Sequence, residues 1–305
     1  MANEVLNRTW VGTRATVISQ QSPFSFFSNL IARISFYVMA VGGFIFLWTP
    51  IILLVIFSFN DSRAVNEWHG FTTRWYQNIF NDVVGVDSAR FTTELMIAAV
   101  KNSLLVSLTA TLIATVLGTM IALSLARGRY PGKRIIDGVL FLPVVIPEIT
   151  QGVSLAMFFV IAFEFLENLT GSRGAFGFTT IIAGHVVFNV SYVAIVVRAR
   201  LADMNPSYEE AARDLGANGW QTFWYITFPQ IIPGILAGGL LALTLSLDDY
   251  VVTFFNSGVG TTTLPMFVYG MLKTSVTPEI NAISTLMLLV SFCLVVVSLR
   301  FQRLR

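Results

Sequence analysis

Residues 205–217 read Asn205-Pro206-Ser207-Tyr208-Glu209-Glu210-Ala211-Ala212-Arg213-Asp214-Leu215-Gly216-Ala217, a charged segment set between two long apolar runs, 176–197 and 231–255. Pro206 precedes Ser207, and Glu210 follows Ser207 by three, the spacing of a capping box in which each side chain satisfies an orphan N–H at a helix start. Glu209 to Leu215 suit a short helix, and Gly216 can take the left-handed conformation that ends it. A second helical stretch is expected over 220–227, and Pro229 and Pro233 then lead back into apolar sequence. A helix this short is marginal alone. It needs a surface to pack on, either the chain's own apolar segments or another protein.

The flanking runs set the fold class. A helix crosses a bilayer with about 20 apolar residues, and six runs qualify: 34–59, 102–126, 138–163, 176–197, 231–255 and 280–299. The third contains Pro143, Pro147 and Glu148, and the fifth contains Asp248 and Asp249, so these two are the least regular. Whether 251–260 continues the fifth span or leaves the membrane is not decided by periodicity. Of the 305 residues, 55% are hydrophobic and 12% charged, against about 25% charged in soluble domains. The first run is too long for a signal-peptide core of about 7–15 residues. An all-α, polytopic membrane protein with six transmembrane helices is expected. The single cysteine excludes a disulfide framework, no metal site is expected, and a net charge of +2 says little about partners; no nucleic-acid partner is expected, and membrane lipid is.

Lys and Arg set the orientation. With the N-terminus in the cytoplasm, 13 of the 19 basic residues fall on inside segments, among them Arg127, Arg129, Lys133, Arg134, Arg198, Arg200 and Arg213. Six fall outside: Arg63, Arg74, Arg90, Lys101, Arg173 and Lys273. Both termini and the loop 205–229 are therefore expected in the cytoplasm of a multi-pass protein. Three parts follow: a cytoplasmic tail, 1–33, ending in an aromatic anchor at Phe24, Phe26 and Phe27; a first span with an external loop, 34–94; and a core, 95–305.

Glu210-Ala211-Ala212, Gly216 after three residues, Ile226 after nine more and then Phe228-Pro229 resemble the EAA loop of ABC-importer permeases, EAA-x3-G-x9-I-x-LP. Only Phe228 departs, replacing one apolar residue by another. The resemblance implies a MetI-like permease fold in a bacterial inner membrane and a loop that docks on a separate ATPase. It assigns Glu209, Glu210, Ala211, Ala212, Asp214, Leu215 and Gly216 to that contact. ATP and Mg would be bound by the partner, and none by this chain. Ser58-Phe59-Asn60, residues 70–76, Ser246-Leu247-Asp248-Asp249, Thr262-Thr263-Leu264-Pro265 and 278–282 further resemble the PotC/PotI-type permeases of spermidine/putrescine importers. That resemblance implies a second, related permease subunit, an external polyamine-binding protein and a polyamine substrate.

The residues also argue for a cationic substrate directly. Glu148, Asp248 and Asp249 lie in spans that hold no Lys or Arg, and intramembrane charges are costly and usually functional. Counting about 1.5 Å per residue puts Glu148 roughly 20 Å along its helix from Ile135, and Asp248 at a similar depth on the fifth span. Acids at one level can hold ammonium groups, with Tyr250 adding cation–π contact. They can equally cap broken helices or meet polar groups of a second subunit, and Asp249, facing away from Asp248, suits such a structural role better. His185 and Asn189 share a helix face and suit either interhelical hydrogen bonds or the pathway. Residues 128–134 lack the glycine spacing and Ser/Thr of a phosphate loop, and the chain is not expected to be an enzyme. Two other classes stay open: an ion-coupled secondary transporter using Glu148 and Asp248, and an intramembrane hydrolase using Ser154 and His185.

Overall fold

The computed structural model describes residues 23–62, 67–81, 92–274 and 278–303. Residues 1–22 of the expected tail, and Arg8, Arg14, Arg63, Arg90 and Arg305 of the charge count, lie outside the described residues. Among the described residues the regular elements are helices, with one isolated antiparallel bridge between Asn60 and Phe71. Six helices are long and apolar enough to cross a membrane: Ala32–Phe57, Thr93–Arg127, Glu148–Thr170, Phe178–Ala202, Gly219–Asp248 and Glu279–Phe301.

The chain divides into two units, Met1–Leu53 and Leu54–Arg305. The described part of the first is one helix, α1 (Pro23–Phe57), which continues briefly into the second. The helix begins eleven residues before the apolar run, so the last part of the segment 1–33 is helical from Pro23 onward. In the second unit α2 (Arg74–Phe80) precedes α3 (Thr93–Arg127), α4 (Lys133–Val145), α5 (Glu148–Thr170) and α6 (Phe178–Ala202). After them come α7 (Ser207–Asp214), α8 (Gly219–Thr222), a π-turn (Phe223–Thr227), α9 (Phe228–Asp248), α10 (Val251–Asn256), α11 (Leu264–Thr274) and α12 (Pro278–Arg303).

The α3–α6–α9 junction rests on small residues. Ala110, Ala114, Gly118 and Ala122 recur every fourth residue on α3 and are buried. A Cβ on Gly118 would stand 2.7 Å from Cβ of Val193 on α6, and one on Gly238 of α9 would stand 3.3 Å from Val193 Cα. Lipid tails are as apolar as leucine, so helices associate in a bilayer by this close packing. At the other end of α3, Met96 and Ala99 pack with Trp75 of α2, Phe267 and Met271 of α11, and Ile283 of α12.

Two spans are broken. The run expected at 138–163 is two helices, because Pro147 offers no N–H and its ring collides with the preceding turn, and Ile146 before it is extended at φ −71°, ψ 132°. Glu148 therefore opens a new helix, and its depth is not a straight rise from Ile135. The Pro143 carbonyl, which a residue-147 N–H would have met, instead accepts from Gln151 Nε2 at 3.0 Å. The fifth span breaks at Asp249, extended at φ −66°, ψ 126°. The stretch after it neither simply continues the span nor leaves at once: it forms α10, wedged against α5 and α6 at Gly152 and Gly184.

The segment 205–217 folds as a short helix with a different start. Ser207 lies inside α7 and makes no side-chain cap, because Pro206 has already entered the helical region. Asn205 Oδ1 accepts the Ser207 N–H at 3.0 Å. The capping box stands one helix later, where Asn218 and Gln221 each accept the other's N–H at 2.9 Å. Gly216 ends α7 as expected, at φ +87°. Its N–H reaches Arg213 O at 2.9 Å, and the Ala217 N–H reaches Ala212 O at 3.0 Å, a Schellman ending.

Gly118→Val should overpack the junction at a cost of about 1–3 kcal/mol, lowering the melting temperature of the detergent-purified protein. An unchanged melting temperature would contradict the close approach of α3 to Val193.

Candidate functional site

The two helix breaks face one cavity of about 240 Å³. Pro143, Glu148 and Gln151 line it from the first break, Phe188 and Tyr192 from α6, and Thr244, Asp248, Asp249 and Tyr250 from the second. The three acids, over 90 residues apart at the extremes, thus share a single chamber. Glu148 and Asp248 are exposed to it. Neither is in an ion pair with a Lys or Arg among the described residues. Asp248 Oδ1 accepts from Ser291 Oγ of α12 at 2.8 Å.

Asp249 is held differently. Its Oδ1 accepts the Val252 N–H at 3.2 Å, and its Oδ2 accepts the Thr253 N–H and the Thr253 hydroxyl, both at 2.8 Å. It thereby caps α10, whose first N–H groups have no carbonyl to meet across the break. His185 Nε2 lies 3.1 Å from the same Oδ2 and 2.9 Å from Thr253 Oγ, and Nδ1 lies 2.6 Å from Ser246 Oγ. Acceptors on both sides of Nε2 place a proton there. With side-chain exposures of 1% and 6%, His185 and Asp249 form an interior clamp between α6 and the break. Ser154 is not among the partners of His185, and the ring's two nitrogens are spent on the clamp, so the hydrolase reading is set aside.

Asn189 follows His185 by one turn but does not line the cavity. It is fully buried, and neither amide atom has a hydrogen-bond partner among the described residues. The expected interhelical bonding therefore holds for His185 alone. Tyr250 stacks on Tyr269 at 4.4 Å, and with Asp248 it also lines a second cavity of about 510 Å³ toward α11 and α12. Asp248 lines a third cavity as well, of about 240 Å³, with Met96, Ser103 and Ser291.

Sequence reasoning missed Gln151, Phe188, Tyr192, Thr244 and Ser291. Gln151 follows Glu148 by three and Tyr192 follows His185 by seven, so both share a face with a residue already singled out. Phe188, Thr244 and Ser291 carried no such signal. No group of three or more His, Cys, Asp or Glu could hold a metal ion among the described residues.

On the 205–217 segment, Glu210, Ala211, Asp214, Leu215 and Gly216 are exposed, Leu215 at 90%, and Ala212 is half-buried. Tyr208, Trp220 and Trp224 are exposed on the same stretch. Glu209 is the exception: its side chain turns inward, bonded to Arg127 and Thr227.

Broken membrane helices around a chamber lined by acids, with a short exposed helix beside them, suit a membrane transport subunit. The chain belongs to the family described as binding-protein-dependent transport system inner membrane component, whose sequence model matches residues 114–304; it is an ABC-importer permease and a multi-pass inner-membrane protein. It is 42% identical to the putrescine transport system permease protein PotI of Escherichia coli K12 over 252 residues, 82% of this chain and 84% of that protein. It is 36% identical to the spermidine/putrescine transport system permease protein PotC of Haemophilus influenzae over 254 residues, 83% and 90% of the two chains. The fold is similar to that of a solved bacterial ABC transporter for alginate, at a TM-score of 0.66 and 19% identity over 92% of this chain and 95% of the other. A second solved structure, a methionine ABC transporter in inward-facing form, gives a TM-score of 0.54 at 18% identity over 68% of this chain and 95% of the other.

His185→Ala should remove one of the four hydrogen-bond donors that meet the buried Asp249 carboxylate, costing about 1.5–3 kcal/mol. Thermal unfolding of the purified chain checks this; a stability loss under about 1 kcal/mol, the scale of an exposed pair, would contradict the clamp.

Proposed function

We propose that the chain forms half of the translocation path of a polyamine importer, with Glu148 and Asp248 receiving the substrate's ammonium groups. The observation that carries this reading is the shared chamber: two carboxylates without a Lys or Arg partner meet where two spans break. The similarity to permeases named for putrescine and spermidine supports it. Tyr250 supplies an aromatic face beside the acids, and Gln151, Tyr192 and Thr244 supply neutral polar contacts. Asp249 and His185 hold the break rather than the cargo, and Asn189 supports the pathway from the packed interior.

The excess of Lys and Arg on alternate segments supports a cytoplasmic location for both termini and for 205–229. In that orientation the exposed face of α7, with Glu210, Ala211, Ala212, Asp214, Leu215 and Gly216, docks on a separate ATPase that binds ATP and Mg. A related second permease completes the path, and an external polyamine-binding protein delivers the substrate. The core 95–305 carries both the chamber and the loop, with 34–94 as the first span and its external loop. A self-sufficient ion-coupled transporter would have no use for an exposed docking helix that carries an exposed Leu215.

Vesicles carrying the complete importer should take up labelled spermidine or putrescine only with ATP inside and binding protein outside. A charge-assisted hydrogen bond is worth about 1.5–3 kcal/mol, so Asp248→Asn or Glu148→Gln should each slow uptake about 10- to 100-fold while assembly persists. Uptake unchanged in both variants would overturn the substrate site. Separately, Leu215→Asp should release the ATPase during co-purification; full retention would overturn the docking face.

A further inference from the structure

One carboxylate oxygen ties the displayed loop to two spans. Glu209 stands in the first turn of α7, yet its side chain is only 14% exposed. Its Oε1 accepts from Arg127 Nη2 and from the Thr227 hydroxyl, the latter at 2.6 Å. Arg127 Nη1 in turn donates to Thr227 Oγ at 3.3 Å. Arg127 is the last residue of α3, where the helix end favours a cation. Thr227 is fully buried and closes the π-turn that opens α9.

The placement of this cluster matters more than its strength. The residues beside Glu209 on α7 face outward, whereas Glu209 faces the bundle, so the helix has a docking side and an anchored side. The anchors are the near ends of α3 and α9, the helices that meet α6 around Val193. The far end of α9, 21 residues on, is Asp248 at the chamber wall. A helix of that length is a strut of about 30 Å. Thr227 and Asp248 thus stand at opposite ends of one continuous helix, which carries Pro233 in its interior, so movement of α7 can reach the chamber through α9. The π-turn, in which the Phe228 N–H reaches back to Phe223 O, is the widened joint where Pro229 could not fit a regular turn.

We propose that Glu209, Arg127 and Thr227 form the mechanical joint that passes ATPase movement from α7 to α3 and α9, with Glu209 a positioning residue and not part of the docking surface. The proposal rests on the reading of α7 as the ATPase-docking helix.

The test is the number of ATP molecules hydrolysed per polyamine imported by the complete importer in proteoliposomes, with the amount of co-purified ATPase measured beside it. Glu209→Gln should retain the ATPase in full and raise that ratio about fivefold or more, the low end of couplings between distant sites. The reciprocal exchange Glu209→Arg with Arg127→Glu should bring the ratio back toward wild type. Thr227→Val removes one donor and leaves the ion pair, so it should assemble normally and raise the ratio less. A merely structural cluster would lower hydrolysis and import together and leave the ratio unchanged in every variant that assembles, which would overturn the proposal. Loss of the ATPase on Glu209→Gln would overturn it too, by assigning Glu209 to the docking surface. A wild-type chain that retains no ATPase would instead overturn the docking reading, and the joint with it.

Discussion

An open backbone group inside a bilayer has no water to turn to and costs several kcal/mol. The molecule breaks two of its membrane helices and still leaves the key groups satisfied. At the first break the Gln151 amide takes the Pro143 carbonyl. At the second, Asp249 takes the N–H groups of Val252 and Thr253. These side-chain substitutions satisfy the backbone where two helices break, and the chamber lies between the breaks. Unbroken helices would carry Glu148 and Asp248 past one another on packed faces.

The two acids at the second break show how burial divides labour between neighbours. Asp249 is enclosed and is met by a histidine, a threonine hydroxyl and two amides. A buried charge with that many partners is retained for geometry, and its removal exposes the cost of those left behind. Asp248, one residue earlier, faces the chamber with a single serine donor. Its remaining acceptor capacity is open to a cation. The extended conformation of Asp249 separates the two roles.

Much of this was legible because the signals were local. Six apolar runs gave six membrane helices, and the spacing from Glu210 to Phe228 and Pro229 gave the family. Counting residues along spans put Glu148 and Asp248 at a similar depth; the fold lines one cavity with both, but Glu148 comes to it by opening a new helix after Pro147. Side-chain direction was less legible. Glu209 and Glu210 are alike in composition, and only the fold turns one toward Arg127 and the other outward. The Ser207 capping box failed because Pro206 starts the helix a residue early. The clamp on His185 joins residues 61 to 68 positions apart, and no pattern in one sequence pairs Ser246 with it. Phe188, Thr244 and Ser291 enter the site by the same long-range packing.

In the proposed importer the chamber between the two breaks opens to alternate sides of the membrane. With Cys293 first replaced by serine, Tyr192→Cys places a single thiol on the chamber wall. In the assembled importer a charged, membrane-impermeant thiol reagent should label it from one side without nucleotide and from the other with ATP bound, and excess spermidine should slow the labelling. A thiol that reacts from both sides at once, or from neither in both states, would contradict alternate opening of the chamber.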